Sequence, residues 1–290
     1  MTGVLITGGT GKTGSVLAAS LRGAGVPVRV ASRTPCGADR DAVRFDWTEP
    51  ATFPPALRGM DRVYLVPPVN TVDPLPSVGR FLAEAERVGV RRVVLLGSAI
   101  VFPDAPGLLE LAARVRARPG WVVLRASGFM QNFLRPHPLA ERIRRHGEIR
   151  TAAGSGRVGW IDTRDIAGAA HALLAAADVA RDGPSDYLLS GPKALSYQDT
   201  ATAITARTGR TVRVVHATAG ELTAHYRSAG LPADFAASLA GVEEGVRSGR
   251  DDWVSTAVLD LTGRPPRSFA AFVDEYAAEW TALGPSDPGA

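Results

Sequence analysis

The sequence predicts an α/β protein: a doubly wound parallel sheet followed by a smaller α/β C-terminal lobe. Three observations carry this. Short apolar, β-branched runs alternate with helix-length segments up to residue 125. These runs are apolar at nearly every position, as strands covered on both faces are. A glycine-rich turn joins the first run to the first helix.

Taken in order, residues 4–7 form the first strand. A helix over 12–24 follows, its apolar stripe carried by Val16, Leu17 and Leu21. Strands are predicted at 28–31, 62–66, 92–96 and 121–124, with helices over 51–58, 75–88 and 107–118 between them. After Arg125 the rhythm loosens. Segments 157–161 and 187–190 read as short strands, with a helix over 163–177 between them. Asp162 or Thr163 caps that helix, and Asp165 suits its positive end. Helices are expected over 196–208, 221–230, 232–246 and 269–283, and a strand over 211–216. The tail, 284–290, is rich in Gly, Pro and Ser and should fray. Residues 1–128 would form the sheet domain, with 157–192 returning to it, and 129–290 the lobe.

Composition narrows the class. Hydrophobic residues make up 45% of the 290 and charged residues 21%, which excludes a wholly disordered chain. Cys36 is the single cysteine, which excludes a disulfide scaffold. No apolar run reaches the roughly 18 residues of a membrane span. The N-terminus enters a motif directly, without a charged leader. A soluble cytoplasmic protein is the expectation. The net charge is +4, but the arginines are scattered and Lys12 and Lys193 are the only lysines. No nucleic-acid face is expected from that distribution.

The turn reads Thr7-Gly8-Gly9-Thr10-Gly11-Lys12-Thr13-Gly14 and holds G-x-x-G-x-x-G at Gly8, Gly11 and Gly14. Gly8 permits the tight turn, Gly11 lets backbone approach a pyrophosphate, and Gly14 lets the helix pack closely. The helix N-terminus then offers N–H groups and a positive dipole to phosphate. This is a Rossmann-type dinucleotide signature. Gly11-Lys12-Thr13 imitates the end of a triphosphate-binding P-loop, but that pattern needs glycine where Ile6 stands.

An NAD site places an acid at the end of the second strand. Here Ser32-Arg33-Thr34 stands there. The Arg33 guanidinium suits a 2′-phosphate, and Lys12 could reach the same group. NADP is therefore the expected cofactor, with Arg33 as an ordinary surface charge the alternative.

Eight stretches carry a resemblance: ITGGTGKTG (6–14 region), VRVASRTP (28–35), FDWTEP (45–50), VYLVPP (63–68), VVLLGSA (93–99), WVVLRASGFMQNF (121–133), WIDTRDIA (160–167) and LTGRPPRSF (261–269). Together they resemble the NmrA-like branch of the atypical short-chain dehydrogenase/reductases. Within it they look most like the ergot-alkaloid reductases of festuclavine/agroclavine dehydrogenase type. The resemblance implies that Asp46 and Trp47 lie beside the adenine and that Val66, Pro67 and Pro68 line the dinucleotide. It implies Gly97 and Ser98 near the nicotinamide ribose, Phe129 and Met130 walling the nicotinamide, and Asn132 close to substrate. Ser98 and Asn132 are the catalytic candidates. Val66, Met130 and Phe133 also read as plain core.

Standard short-chain dehydrogenases use Tyr-x-x-x-Lys. Tyrosine would be needed at position 8 or 189, where Gly8 and Leu189 stand. Without that acid, hydride transfer suits an imine, enone or quinone better than a simple ketone, whose alkoxide needs a proton. A non-catalytic NADP-sensing regulator and a non-redox cyclase or isomerase are the alternatives. The histidines show no metal-ligand spacing. Cys36 has no local partner that marks a nucleophile. His225, Tyr226 and Trp253 either face substrate or pack.

Overall fold

The structure is a computed structural model that describes residues 3–35, 39–176 and 183–281. Cys36, Ala177 and the 284–290 tail lie outside the described residues.

The first half builds the sheet. Strands β1 (Val4–Ile6), β2 (Val28–Ser32), β3 (Ala42–Arg44), β4 (Arg62–Leu65), β5 (Arg92–Ser98) and β6 (Val122–Ala126) alternate with helices α1 (Gly14–Gly23), α2 (Phe53–Leu57), α3 (Leu75–Arg87) and α4 (Pro106–Arg116). The lobe then begins with α5 (Pro138–His146), β7 (Glu148–Thr151) and β8 (Arg157–Val158). Next come α6 (Thr163–Ala175), β9 (Asp186–Leu189), β10 (Leu195–Ser196), α7 (Tyr197–Thr208) and β11 (Arg213–His216). Four α-helices follow among the described residues: α8 (Ala219–Ser228), α9 (Ala233–Arg247), α10 (Ala257–Thr262) and α11 (Phe269–Glu275).

The main sheet runs β3-β2-β1-β4-β5-β6-β9, with every neighbouring pair parallel. Successive strand residues point to opposite faces. Val4 and Ile6 pack with Leu17 and Leu21 of α1 and Ile166 and Leu174 of α6. Leu5, Val63 and Leu65 pack on the other face with Phe53, Phe81 and Leu111 of α2, α3 and α4. This two-sided burial is why the strand sequences carry no polar alternation. A third core in the lobe gathers Phe133, Ile143, Ile149, Val246, Phe272 and Trp280.

Several expectations change. Only Arg157–Val158 of the 157–161 segment is a strand, and it pairs antiparallel with β10, outside the main sheet. β9 alone returns to the sheet, beside β6. The expected 269–283 helix ends at Glu275, and a 3₁₀ turn, Ala277–Trp280, follows. Strand β3, helix α5, strand β7 and helix α10 were not in the sequence pattern. β3 is a half-exposed edge without an apolar run, and α5 buries only Ala140 and Ile143.

The order reverses at β1 and β4. Crossovers leave opposite faces there and open a crevice at the strands' carboxyl ends. The Thr7 hydroxyl stitches the two strand ends across that crevice. It accepts the Val66 N–H at 2.7 Å and donates to the Val66 carbonyl at 3.1 Å. At the opposite pole, buried Arg62 and Arg92 donate to the Leu174 and Leu173 carbonyls at the end of α6, whose last turn has no basic residue of its own.

Candidate active site

The glycine loop occupies the carboxyl end of β1. Gly8 has φ +62°, a conformation costly for residues with a Cβ. A Cβ on Gly14 would lie 2.9 Å from the Gly9 Cα, with the Gly8 carbonyl oxygen closer still. Gly14 therefore lets α1 start against the loop itself, rather than against the strand. Gly9, outside the motif, does the strand-side work: its Cβ would come 2.5 Å from Val30 Cγ1. Gly8, Thr10, Gly11 and Lys12 are exposed, whereas Thr13 is buried. α1 begins without a side-chain cap and without an acid in its first turn. Its positive end thus faces an open cradle, which fits a phosphate.

Arg33 follows β2. It is exposed, and among the described residues its guanidinium makes no hydrogen bond or ion pair; its carbonyl accepts from Arg44 at 3.1 Å. Asp46 accepts from the Thr48 N–H at 2.9 Å and its hydroxyl at 2.8 Å. Those bonds, and then the Arg33 and Arg44 charges, hold its carboxyl below the usual range. Trp47 is half-buried and sits edge-on to Phe45 and Phe81, at 4.8 and 5.4 Å. Val66 covers Gly8 and, with Pro67, is half-buried.

Lys12 does not turn toward Arg33. Its ammonium donates to the Gln131 carbonyl at 3.1 Å, and although the residue as a whole is exposed, desolvation of the ammonium against the lobe lowers its pKa. Gln131 in turn donates to Asp162 at 3.0 Å and accepts the Thr163 N–H at 2.9 Å. Asp162 caps α6 by accepting the Arg164 N–H at 2.8 Å. The glycine loop is so clasped to the lobe through one glutamine that the sequence reading passed over.

Beyond the crevice lies a cavity of about 270 Å³. Gly97, Ser98, Phe129 and Asn132 all line it. The Ser98 hydroxyl donates to the Ile100 carbonyl at 2.8 Å. The Asn132 carboxamide has no hydrogen bond among the described residues, leaving it free toward the cavity. Met130 is 1% exposed, packs in the lobe core and does not line the cavity, as its alternative reading as plain core expects. Phe133 is core as well. His225 and Tyr226 reach the cavity and Trp253 does not.

The lobe adds groups without a sequence motif. Glu243, 5% exposed, accepts from the Thr151 hydroxyl at 2.7 Å, the Ala152 N–H at 2.5 Å and the Tyr197 hydroxyl at 3.3 Å. Burial outweighs these bonds and raises its pKa. Burial and the neighbouring Glu243 likewise push the Tyr197 and Tyr226 phenols up. Burial, with Lys12 adding to it, pushes His137 down to about 4. His137 Nδ1 accepts the Leu139 N–H at 3.2 Å, so the neutral ring keeps its proton on Nε2. A signal for Glu243 existed: it is an acid on the inner stripe of a helix, flanked by Val242 and Val246. Its partners come from β7 and α7, which no local pattern connects to it. Among the described residues no cluster of His, Cys, Asp or Glu could hold a metal ion, and no helix is long and apolar enough to cross a membrane.

The chain is similar to known proteins along nearly its whole length. Residues 4–118 match the NAD dependent epimerase/dehydratase family. The chain is 41% identical to an uncharacterized oxidoreductase, YesF, of Bacillus subtilis over 97% of both chains. It is 36% identical to agroclavine dehydrogenase of Claviceps fusiformis, covering 96% of this chain and 98% of that one. The Escherichia coli NADPH-dependent quinone oxidoreductase QOR2, solved with NADPH, shares the fold at TM-score 0.80 and 22% identity, covering 94% of this chain and 99% of that one.

Proposed function

The chain belongs to the NmrA-like short-chain dehydrogenase/reductase family and is an oxidoreductase; from that premise we propose that it is an NADPH-dependent reductase of imines, enones or quinones rather than of simple ketones. Residues 1–128, with β9 in their sheet, would hold the dinucleotide, and 129–290 would hold substrate. The backbone of Gly8, Thr10, Gly11, Thr13 and Gly14 would take the pyrophosphate and Arg33 the 2′-phosphate. Asp46 and Trp47 would flank the adenosine, with Val66, Pro67, Gly97, Ser98 and Phe129 along the remaining length. Lys12 is better read as the clasp to Gln131 than as a phosphate ligand. NADPH supplies a hydride when bound.

The observation that carries the substrate class is the state of the hydroxyls in the cavity. Ser98 is committed to the Ile100 carbonyl. Tyr197 and Tyr226 are held as weak acids by burial, and Lys12 stands on a carbonyl rather than beside either. Ser127 also lines the cavity, its hydroxyl buried and without a partner among the described residues, but an alcohol is a weaker acid than a phenol, so these hydroxyls donate protons poorly. An alkoxide left by ketone reduction needs that donation. An iminium does not, because hydride neutralises it, and a quinone or enone spreads its charge. The free Asn132 carboxamide can orient such a heteroatom.

The test is consumption of NADPH and NADH by the purified chain with four acceptors: a dihydroisoquinolinium, cyclohexenone, naphthoquinone and cyclohexanone. NADPH should be consumed with at least one of the first three about 100-fold faster than with the saturated ketone. A ketone turned over as fast as the others overturns the reading. So does NADPH that binds and is never consumed, which is the behaviour of a sensor.

A further inference from the structure

Three elements bring basic side chains to one end of the cavity: Arg142 on α5, Arg150 on β7 and His225 on α8. We propose that this end is a subsite for an oxyanion of the substrate, a carboxylate or sulfonate carried away from the reducible bond, with Arg150 as its main ligand. The proposal rests on reading the cavity as the substrate site and names the substrate's chemistry more narrowly.

The charges there do not balance. One carboxylate, Glu148, serves three guanidiniums. It accepts from Arg142 Nη2 at 2.6 Å and Arg213 Nη2 at 3.0 Å, while Arg150 Nε stands 4.0 Å off. Among the described residues the Arg150 guanidinium donates no hydrogen bond, and Arg142 Nε is buried without a partner. A second carboxylate, Glu221, attracts Arg150 without an ion-pair contact, so three guanidiniums face two carboxylates. Glu221 uses Oε2 to hold the Thr218 N–H and hydroxyl, at 2.8 and 2.9 Å. Glu243 is held by three donors, and burial favours its neutral form. Burial, and then Arg142 and Arg150, keep His225 deprotonated more readily than an ordinary histidine. It is therefore a neutral hydrogen-bonding group beside the two cations, not a third charge.

A guanidinium fork matches the two oxygens of a carboxylate or sulfonate. Leu139, Leu222 and Val242 line the same cavity. Their apolar surface holds back water and strengthens the pairing relative to an open surface. An anion would enter with its head on Arg150 at the rim, where that side chain is 46% exposed, and its apolar body between these walls.

The experiment is calorimetric titration of the full chain, without nucleotide and at low salt, with naphthalene-2-carboxylate, naphthalene-2-sulfonate and the neutral naphthalene-2-carboxamide. The variants are Arg150→Gln and Arg213→Gln. Arg213 shares Glu148 but does not line the cavity, so it controls for general charge. At least one anion should bind about fivefold tighter than the amide. Arg150→Gln should shrink that preference below about twofold while leaving the amide's affinity unchanged, and Arg213→Gln should keep the preference. The stronger of the two anions identifies the oxyanion geometry the site takes. No preference in the unaltered chain, including no binding of either anion, overturns the proposal. So does a preference that survives Arg150→Gln or falls equally with Arg213→Gln. A chain that keeps the anion preference yet consumes no NADPH with any acceptor loses the reductase reading and retains this one.

Discussion

The two ends of the ligand crevice are built by opposite means. At the end proposed for adenosine, Arg33 is exposed and its guanidinium makes no hydrogen bond or ion pair among the described residues. At the lobe end, Glu243 is 5% exposed and three donors hold it. The contrast separates two jobs an ionisable group can do. An exposed charge without a hydrogen bond or ion pair contributes little until a ligand arrives, so it can be removed without disturbing the fold. A buried, hydrogen-bonded carboxyl pushed toward its neutral form is part of the packing, and changing it alters stability and site together.

The largest test of this contrast leaves charge alone. Gly14→Val puts side chain into the Gly8 carbonyl and Gly9 backbone, so the cradle must open. NADPH affinity should fall at least about 100-fold in a titration, which corresponds to about 2.7 kcal/mol. Retained affinity in a folded variant would place the nucleotide elsewhere. Arg33→Asp should be smaller and cleaner. The preference for NADPH over NADH should drop about tenfold, or about 1.4 kcal/mol, with the ligand-free melting temperature unchanged. A shifted melting temperature would break the contrast by giving Arg33 a structural role.

The smallest effect belongs to Glu243→Gln, and its sign is fixed by the raised carboxyl. A folded-state pKa above the unfolded one means the native state binds the extra proton. That stability is complete below the ordinary carboxylate range and fades as pH rises through the raised value. Glutamine keeps an acceptor for Thr151 and Ala152 and turns a donor toward the Tyr197 hydroxyl in place of an acceptor, but does not titrate. The melting temperature of the unaltered chain should therefore fall relative to the variant by about 2–4 °C as pH rises from about 5 to 8. A constant gap across that range would mean the carboxyl stays ionised in its pocket.

The glycine loop and the sheet were legible because both are local. Gly8, Gly11 and Gly14 sit within one turn, and the doubly buried strands declare themselves residue by residue. Arg33 was legible from its position after β2. The lobe was not, because its site is assembled from long-range partners: Thr151, Tyr197 and Glu243 span 92 positions between the first and last. Helix α5 was missed although Pro138 opens it and Gly147, at φ +62°, closes it; two buried positions make too thin a stripe to read. Sequence places Lys12 in the loop but does not say which way it leans, and its ammonium lies on the Gln131 carbonyl rather than toward Arg33.

Tryptophans happen to lie at both ends of this crevice. Trp47 stands edge-on among the aromatics near Asp46, and Trp160 lines the cavity, its indole N–H on the Leu195 carbonyl at 3.2 Å. Of the five tryptophans, these two are thus placed as optical reporters, one for the end proposed for nucleotide and one for the chamber beyond. The difference in emission between the unaltered chain and a variant with one or the other changed to phenylalanine isolates that reporter, so the order in which two ligands arrive can be followed with no label attached.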